Sequence, residues 1–436
     1  MGFAPEPERG SARLFSRAGG REGAARRVDY ALIAHERKIP GMTEVRTPGR
    51  SRVDSTETRT GADRTLKLLE TQIGRSVDEV ETPVVILDLD RLEANLQRLQ
   101  SYADSHAIAL WPHTKTHKSP EIGLRQLAIG ARGLTVAKTG EAEVFHEAGA
   151  PRILVHYPPL GADKWNRLAR FAAEGLELTV AVDSLTPAEG LSAALSRRGV
   201  TAELLVELDV GLHRTGTVTS AGALEVAQQL SKLPAVEVAG ISCYPGHARE
   251  DSDMIGPVVE AVDDLLRETR DAFTTAGIRC DRISGGSTPT RYITHTTSVN
   301  ELRAGTYALL DRVDAPAEPD LGLDACALSV AVTVVSDSVP GQIVIDAGSK
   351  TFTSDTHPDG GHGVIVGWPD ARLHTLNEEH GYVDVSGMHD RPVLGDRLQV
   401  IPNHACGCVN LHDGLLGTRE DVVERVVLVA ARGLVR

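Results

Sequence analysis

From Thr82 onward, short continuous apolar runs alternate with longer stretches whose apolar residues recur at helical spacing. No other feature of the chain constrains its fold as much. Val84-Val85-Ile86-Leu87 precedes Leu89, Leu92, Leu96 and Leu99. Gly133-Leu134-Thr135-Val136 precedes the stretch Glu141–Ala148, and Ile153-Leu154-Val155-His156 precedes Trp165–Ala173. The same cadence links Leu178–Val182 to Ala188–Ser196, Leu204–Leu208 to Ala221–Leu230, and Val236–Ser242 to Ile255–Ala276. Apolar runs that do not alternate suit strands buried on both faces, and a parallel sheet covered by helices provides that environment. With the segments before Lys115, at Arg282–Ser284 and at Leu302–Ala304, about eight or nine units result, which predicts a (β/α)8 barrel of TIM type over residues 63–320. An open, doubly wound sheet is the alternative.

Beyond residue 320 the cadence stops. Leu328–Val335, Gln342–Ile345, Gly363–Val366, Arg397–Ile401 and Val423–Val429 are short, β-branched and separated by Gly, Pro, Asp and Asn. They predict an antiparallel β domain over residues 321–436. Residues 1–62 are rich in Arg, Gly, Ser and Thr without apolar period and are expected to be a disordered extension, with Met42 an alternative start.

The chain of 436 residues is long enough for a barrel and an appendage. Its formal net charge of −14 disfavours nucleic acid as a partner. No apolar run approaches the roughly 20 residues of a membrane helix, and the start lacks the apolar core of a secretory signal. The five cysteines are scattered and odd in number, so they form no disulfide framework, and a reducing cytoplasm is the expected location.

Function in a barrel of this kind belongs at the C-terminal ends of the strands. Lys115 follows a short apolar run, within Trp111-Pro112-His113-Thr114-Lys115-Thr116-His117-Lys118. Burial and neighbouring like charges depress a lysine pKa and leave an amine able to form a Schiff base; a solvated basic turn is the plainer reading. Asp209–Gly216 carries Arg214 toward the barrel mouth, unless that arginine only pairs with Asp209. Tyr244-Pro245-Gly246-His247 follows the next strand.

Two glycine-bearing turns after late strands, Ser284–Thr288 and Arg303–Tyr307, suit a phosphate cradle, because backbone N–H groups and hydroxyls there can approach an anion. Either alone is weak; together at the end of a barrel they are stronger. In Pro402–Cys408, His404 and Cys406 lie two apart and on a strand would share a face with Cys408. One imidazole and one thiolate suit zinc, with substrate or water completing the sphere; a reduced surface turn is the alternative. An amine, a phosphate cradle, an arginine and a metal pair together suggest pyridoxal 5′-phosphate chemistry.

From about Thr82 to its end, the chain resembles the D-threonine aldolase and D-serine dehydratase-like family of alanine-racemase-type, fold type III pyridoxal phosphate enzymes. Six motifs carry the resemblance in order: Pro-His-Thr-Lys-Thr-His-Lys (112–118), Asp-Val-Gly-Leu-His-Arg-Thr-Gly (209–216), Ser-Gly-Gly-Ser-Thr (284–288), Glu-Leu-Arg-Ala-Gly-Thr-Tyr (301–307), Glu-Glu-His-Gly (378–381) and Pro-Asn-His-Ala-Cys (402–406). The resemblance implies Lys115 as the Schiff-base lysine, Arg214 near the pyridine 3′-oxygen, and Tyr244 beside the ring. Ser287, Gly305 and Thr306 are the implied phosphate contacts, with Tyr307 a neighbour. Arg303 matches the arginine that racemases place at the ring nitrogen. His404 and Cys406 match the divalent-metal pair (zinc, manganese or magnesium), and His247 is a candidate catalytic proton carrier.

The implied activity is that of a lyase on D-β-hydroxy-α-amino acids, with a homodimer whose β domains complete each other's sites. His-x-Cys at the metal is the dehydratase form, whereas Asn410-Leu411-His412-Asp413-Gly414 and the Tyr-Pro-Gly-His turn favour a D-threonine aldolase. A D-serine dehydratase is therefore the second reading. Residues 320–436 argue against a non-catalytic pyridoxal phosphate carrier, which is a barrel alone. The missing tyrosine pattern after Lys115 argues against a racemase. An unrelated aldehyde–lysine barrel enzyme is the remaining alternative.

Overall fold

The structure is a computed structural model and describes residues 61–248, 255–318 and 320–436. The expected disorder of residues 1–62 lies outside this range up to residue 60, as does Met42; Gly61 and Ala62 open a helix, Gly61–Glu70.

Strand β1 (Val84–Asp88) passes directly into helix Leu89–Ser105 because Asp88 Oδ1 accepts the N–H groups of Asp90 and Arg91 at 3.0 and 2.9 Å, capping the helix start. There follow β2 (Ala109–Leu110), β3 (Leu134–Val136), β4 (Arg152–Val155), β5 (Glu177–Val182), β6 (Ala202–Leu208), β7 (Val236–Cys243), β8 (Arg282–Gly285) and β9 (Glu301–Leu302). The eight strands β2 to β9 form one parallel sheet in the order β2-β9-β8-β7-β6-β5-β4-β3. The sheet closes on itself where His113 bridges Thr135, with Thr135 N–H on the Pro112 carbonyl and Thr114 N–H on the Thr135 carbonyl, both at 2.8 Å. The predicted barrel is present, and six helices between Pro120 and Thr275 cover its described outer face.

One strand is not where the cadence predicts. Val84–Leu87 reads as the first barrel unit, yet β1 lies in the second sheet, antiparallel to β10 (Leu328–Ser336) and parallel to β16 (Gly414–Arg419). Val84 to Leu87 are at most 6% exposed. A central strand of the β domain is buried on both faces just as a barrel strand is, so a continuous apolar run fits either place.

The second sheet also contains β11 (Gln342–Ile345), β12 (Gly363–Ile365), β13 (Arg372–Leu376), β14 (Gly381–Asp384), β15 (Arg397–Pro402) and β17 (Val422–Leu428). Its main path runs β13-β14-β11-β10-β1-β16-β17, and β15 pairs with β10 and β12. One apolar core joins the two parts: Leu89, Leu92, Leu96 and Leu99 of the first long helix pack with Leu302 and Leu309 on one side and Val330 and Val400 on the other. Each such side chain contributes roughly 1.5–3 kcal/mol by burial, so the β domain is fixed on the barrel.

The N-terminal end of the barrel is filled. Arg282 donates to Thr179 Oγ1 at 2.8 Å, Glu203 Oε2 at 2.5 Å and Glu301 Oε1 at 2.7 Å, and its guanidinium lies 4.9 Å from the centre of the Trp111 ring. Above it Trp111, Leu154, Leu205 and Ala239 form an apolar layer. Ligand access is left to the opposite end. No helix among the described residues is long and apolar enough to cross a membrane.

Candidate active site

Lys115 stands on the turn that leaves β2. Its neighbours are tied to strands on both sides, His113 N–H to Ala304 O at 2.9 Å and Thr114 N–H to Thr135 O at 2.8 Å, so the lysine is held at the C-terminal rim. Lys115 Nζ lies 5.5 Å from the centre of the Tyr244 ring, and the Arg214 guanidinium lies 4.6 Å from the same ring. The ring is backed by Gly246, where a Cβ would come within 2.3 Å of it. Three residues expected at the cofactor are thus brought together. His247 stands instead against Gly211 of the Arg214 loop, where an added Cβ would meet its Nε2 at 3.0 Å, and its Nδ1 is buried without a hydrogen-bond partner.

His113 was not among the expected site residues. Its Nδ1 accepts the Lys115 N–H at 3.4 Å, and burial, followed by the charges of Lys115, His156, Arg303 and Arg214, holds its pKa well below the usual imidazole range. It is a neutral imidazole beside the lysine. The base of the turn is pinned by Lys118, which bonds Asn410 Oδ1 at 2.8 Å and pairs with Glu141 at 3.4 Å. Within the Asn410–Gly414 motif, Asn410 thus ties the barrel to the β domain, while His412 Nε2 bonds Thr351 O at 3.1 Å.

Arg303 lies below the lysine and is 4% exposed. Its Nη2 donates to Cys243 O at 2.6 Å and lies 2.9 Å from His156 Nε2. The same imidazole nitrogen lies 2.9 Å from Glu207 Oε2, which also receives the Ser242 hydroxyl. Burial alone would raise the Glu207 pKa; His156 and Arg303 outweigh it and hold the carboxylate ionised. Arg303 Nη1 and Ser284 Oγ are buried without hydrogen-bond partners. Buried polar atoms are rarely left so, and orphaned donors at the strands' C-terminal ends suit a ligand.

The two predicted phosphate turns are joined, Tyr307 N–H bonding Thr288 Oγ1 at 3.2 Å. Ser287 Oγ accepts the Thr290 N–H at 3.3 Å, and the Thr290 hydroxyl in turn accepts the Ser287 N–H at 3.0 Å. At Gly305 a Cβ would come within 3.0 Å of His113 O and 3.2 Å of Thr116 Oγ1, so this turn reaches the lysine turn only as glycine. The Tyr307 phenol turns away and accepts from Gln126 Nε2 at 2.9 Å.

The metal pair differs locally from the expected strand. Residues Ala405–Val409 form a short helix with His404 at its N-cap. Two residues on a helix are roughly 200° apart, so Cys408 does not share a face with Cys406. Its thiol donates to Thr351 O at 3.3 Å within the β-domain core, and burial pushes its pKa up to about 12. Cys406 Sγ faces the lysine turn, 3.2 Å from Thr116 Oγ1. His404 Nδ1 lies 3.2 Å from Asp311 Oδ2, and Cys406 is its other polar neighbour; hydrogen bonds to these two groups push the imidazole pKa up to about 11. Burial works against ionising Cys406, but His404 and Lys115 prevail and hold its pKa below the usual thiol range. A thiolate and an imidazole are the donors a zinc-type ion takes.

Both absent groups fit these residues. Lys115, Arg214 and Arg303 gather positive charge around His113, with an orphaned guanidinium nitrogen and glycine-walled turns, as an anionic pyridoxal phosphate requires. His156, Glu207 and Asp311 join the site although no motif marked them, and Thr116, which lies in the 112–118 motif without a role assigned to it, joins through Cys406; each acts through residues distant in sequence.

The sequence profile of the alanine racemase N-terminal domain matches residues 87–312, and that of a putative serine dehydratase domain matches residues 327–418. The chain is 37% identical over 376 residues to a D-threonine aldolase of an Arthrobacter species, covering 84% of this chain and 96% of that one. It is 32% identical over 372 residues to a 3-hydroxy-D-aspartate aldolase of Paracoccus denitrificans, covering 83% and 94%. The crystal structure of D-threonine aldolase from Filomicrobium marinum superposes with a TM-score of 0.78 at 31% identity, covering 84% of this chain and 99% of that one. Fold and likeness agree. The chain belongs to the D-threonine aldolase and D-serine dehydratase-like family of fold type III, pyridoxal phosphate- and divalent metal-dependent lyases that act on D-hydroxyamino acids.

Proposed function

We propose that the chain catalyses D-threonine aldolase-type cleavage of D-β-hydroxy-α-amino acids to glycine and an aldehyde. The observation that carries this reading is the docking of Cys406 on the lysine turn through Thr116, which brings the metal pair and Lys115 to one mouth. When bound, pyridoxal phosphate supplies an electron sink at Cα, and a divalent ion supplies a Lewis acid for the β-hydroxyl.

Lys115 Nζ would hold the cofactor. Ser287, Gly305 and Thr306 bind its phosphate, with Tyr307 supporting their turns from behind. Arg303, with its unpartnered Nη1, would serve the ring nitrogen, Arg214 would serve the 3′-oxygen, and Tyr244 would pack beside the ring. His404 and Cys406 hold the ion. His247, which stands against Gly211, is the candidate to accept the hydroxyl proton as the Cα–Cβ bond breaks, and return of one proton to the α-carbon balances the step to glycine and an aldehyde. The His404 side chain is 43% exposed in the single chain, and a homodimer in which the partner covers this mouth is part of the proposal.

The His-x-Cys pair and the serine dehydratase-type domain favour a second reading, D-serine dehydration, in which Lys115 removes the α-proton and the hydroxyl leaves as water. Product analysis with D-threonine and D-serine decides between them. Glycine plus acetaldehyde from D-threonine is expected; pyruvate and ammonia from D-serine, without glycine from D-threonine, would overturn the aldolase.

A further inference from the structure

We propose that Asp311 is the positioning residue of the metal centre, fixing the His404 imidazole with its hydrogen on Nδ1 and leaving Nε2 for the ion. The Asp311 side chain is fully buried, whereas that of His404 is 43% exposed. Its two oxygens serve two different segments. Oδ1 accepts the N–H groups of Val313 and Asp314 at 3.1 and 2.9 Å, closing its own turn. Oδ2 accepts the Ala405 N–H at 2.8 Å and lies 3.2 Å from His404 Nδ1.

A carboxylate only accepts, so the nitrogen facing it must carry hydrogen. A neutral imidazole has one N–H, and Nε2 is then the lone-pair nitrogen that an ion requires. A residue needed only for the 311–314 turn would use Oδ1 and leave the metal-bearing segment untouched. Asp311 instead holds both the imidazole and the first N–H of the short helix that carries Cys406. Through the preceding turn, Thr306 to Leu310, it also connects the phosphate cradle to the metal pair.

The inference rests on His404 and Cys406 as metal ligands, and not on which lyase reaction the enzyme performs. Asp311→Asn keeps an oxygen for the 311–314 turn but presents an amide N–H2 to Nδ1. The imidazole hydrogen then moves to Nε2 and blocks coordination. Zinc affinity of the cofactor-loaded protein, measured by competition with a chromogenic chelator, is expected to fall roughly 10–100-fold, with unchanged cofactor absorbance. Asp311→Glu is expected to recover part of that loss. Zinc affinity within twofold of the unaltered chain in a folded Asp311→Asn protein would overturn the proposal.

Should that variant fail to fold, imidazole nitrogen chemical shifts of the zinc-loaded, unaltered chain read the tautomer directly. A protonated Nδ1 and a zinc-bound Nε2 at His404 are expected, and the reverse arrangement would overturn the role. An unaltered chain that binds no zinc would overturn the metal assignment itself. Failure of the aldolase assay alone leaves the Asp311 role standing.

Discussion

Two arginines, Arg282 partly buried and Arg303 buried, occupy opposite ends of the same barrel. At the N-terminal end, Arg282 meets Glu203, Glu301 and Thr179 and lies over Trp111, so its hydrogen bonds and charge are matched within the protein. At the C-terminal end, Arg303 meets Cys243 O and His156, the latter beside Glu207, and keeps Nη1 without a partner. The residue type is the same, but the satisfaction of the polar atoms is not. A filled network stabilises the barrel, whereas an unfilled one at the strands' C-terminal ends is prepared for a charged ligand.

The largest effect that tests this contrast is expected at Lys115. Lys115→Ala removes the amine proposed to hold the cofactor, and activity should fall by roughly 10³-fold or more, with loss of the cofactor's visible absorbance. An unchanged spectrum would place the cofactor elsewhere. Next come the arginines. Arg282→Met leaves two carboxylates without their cation, and denaturant titration should show a loss of about 3 kcal/mol with unaltered cofactor affinity. Arg303→Met should invert that pattern, weakening pyridoxal phosphate binding more than stability. Equal effects of the two substitutions on cofactor affinity would erase the distinction.

A smaller effect concerns pH. Burial pushes the His117 pKa down to about 4 from 6.5, so this imidazole is neutral in the fold. Between those values the unfolded chain binds a proton that the native chain does not, and stability is lost as pH falls through this window, by up to about 3 kcal/mol. His117→Gln should flatten that part of the stability curve. A curve unchanged by the substitution would contradict a neutral His117.

The smallest is at Cys408. Cys408→Ala should cost roughly 1–2 kcal/mol as a core truncation and spare metal binding, because its sulfur lies in the β-domain core. Loss of the ion on that substitution would return Cys408 to the metal site.

The barrel was legible because its buried strands are continuous apolar runs, and the site because its motifs cluster at strand ends. β1 was misplaced for the same reason that the barrel was found: burial on both faces leaves one pattern for two sheets. β13 and β14 went unread because polar and exposed residues interrupt them, as in Arg372-Leu373-His374-Thr375-Leu376. At Cys408, the assumption of a strand failed because Ala405–Val409 turns helical where Asp311 accepts its first N–H. Asp311 and His404 lie 93 positions apart, as do many supporting contacts of the site, and no local spacing encodes such a pair.

The most direct test of the unfilled end as the cofactor end is reduction of the pyridoxal phosphate-loaded protein with borohydride, followed by peptide mapping. The account predicts a phosphopyridoxyl group on Lys115, retained in Arg282→Met protein. Labelling of a different lysine, or none in protein that is folded and loaded, would contradict it.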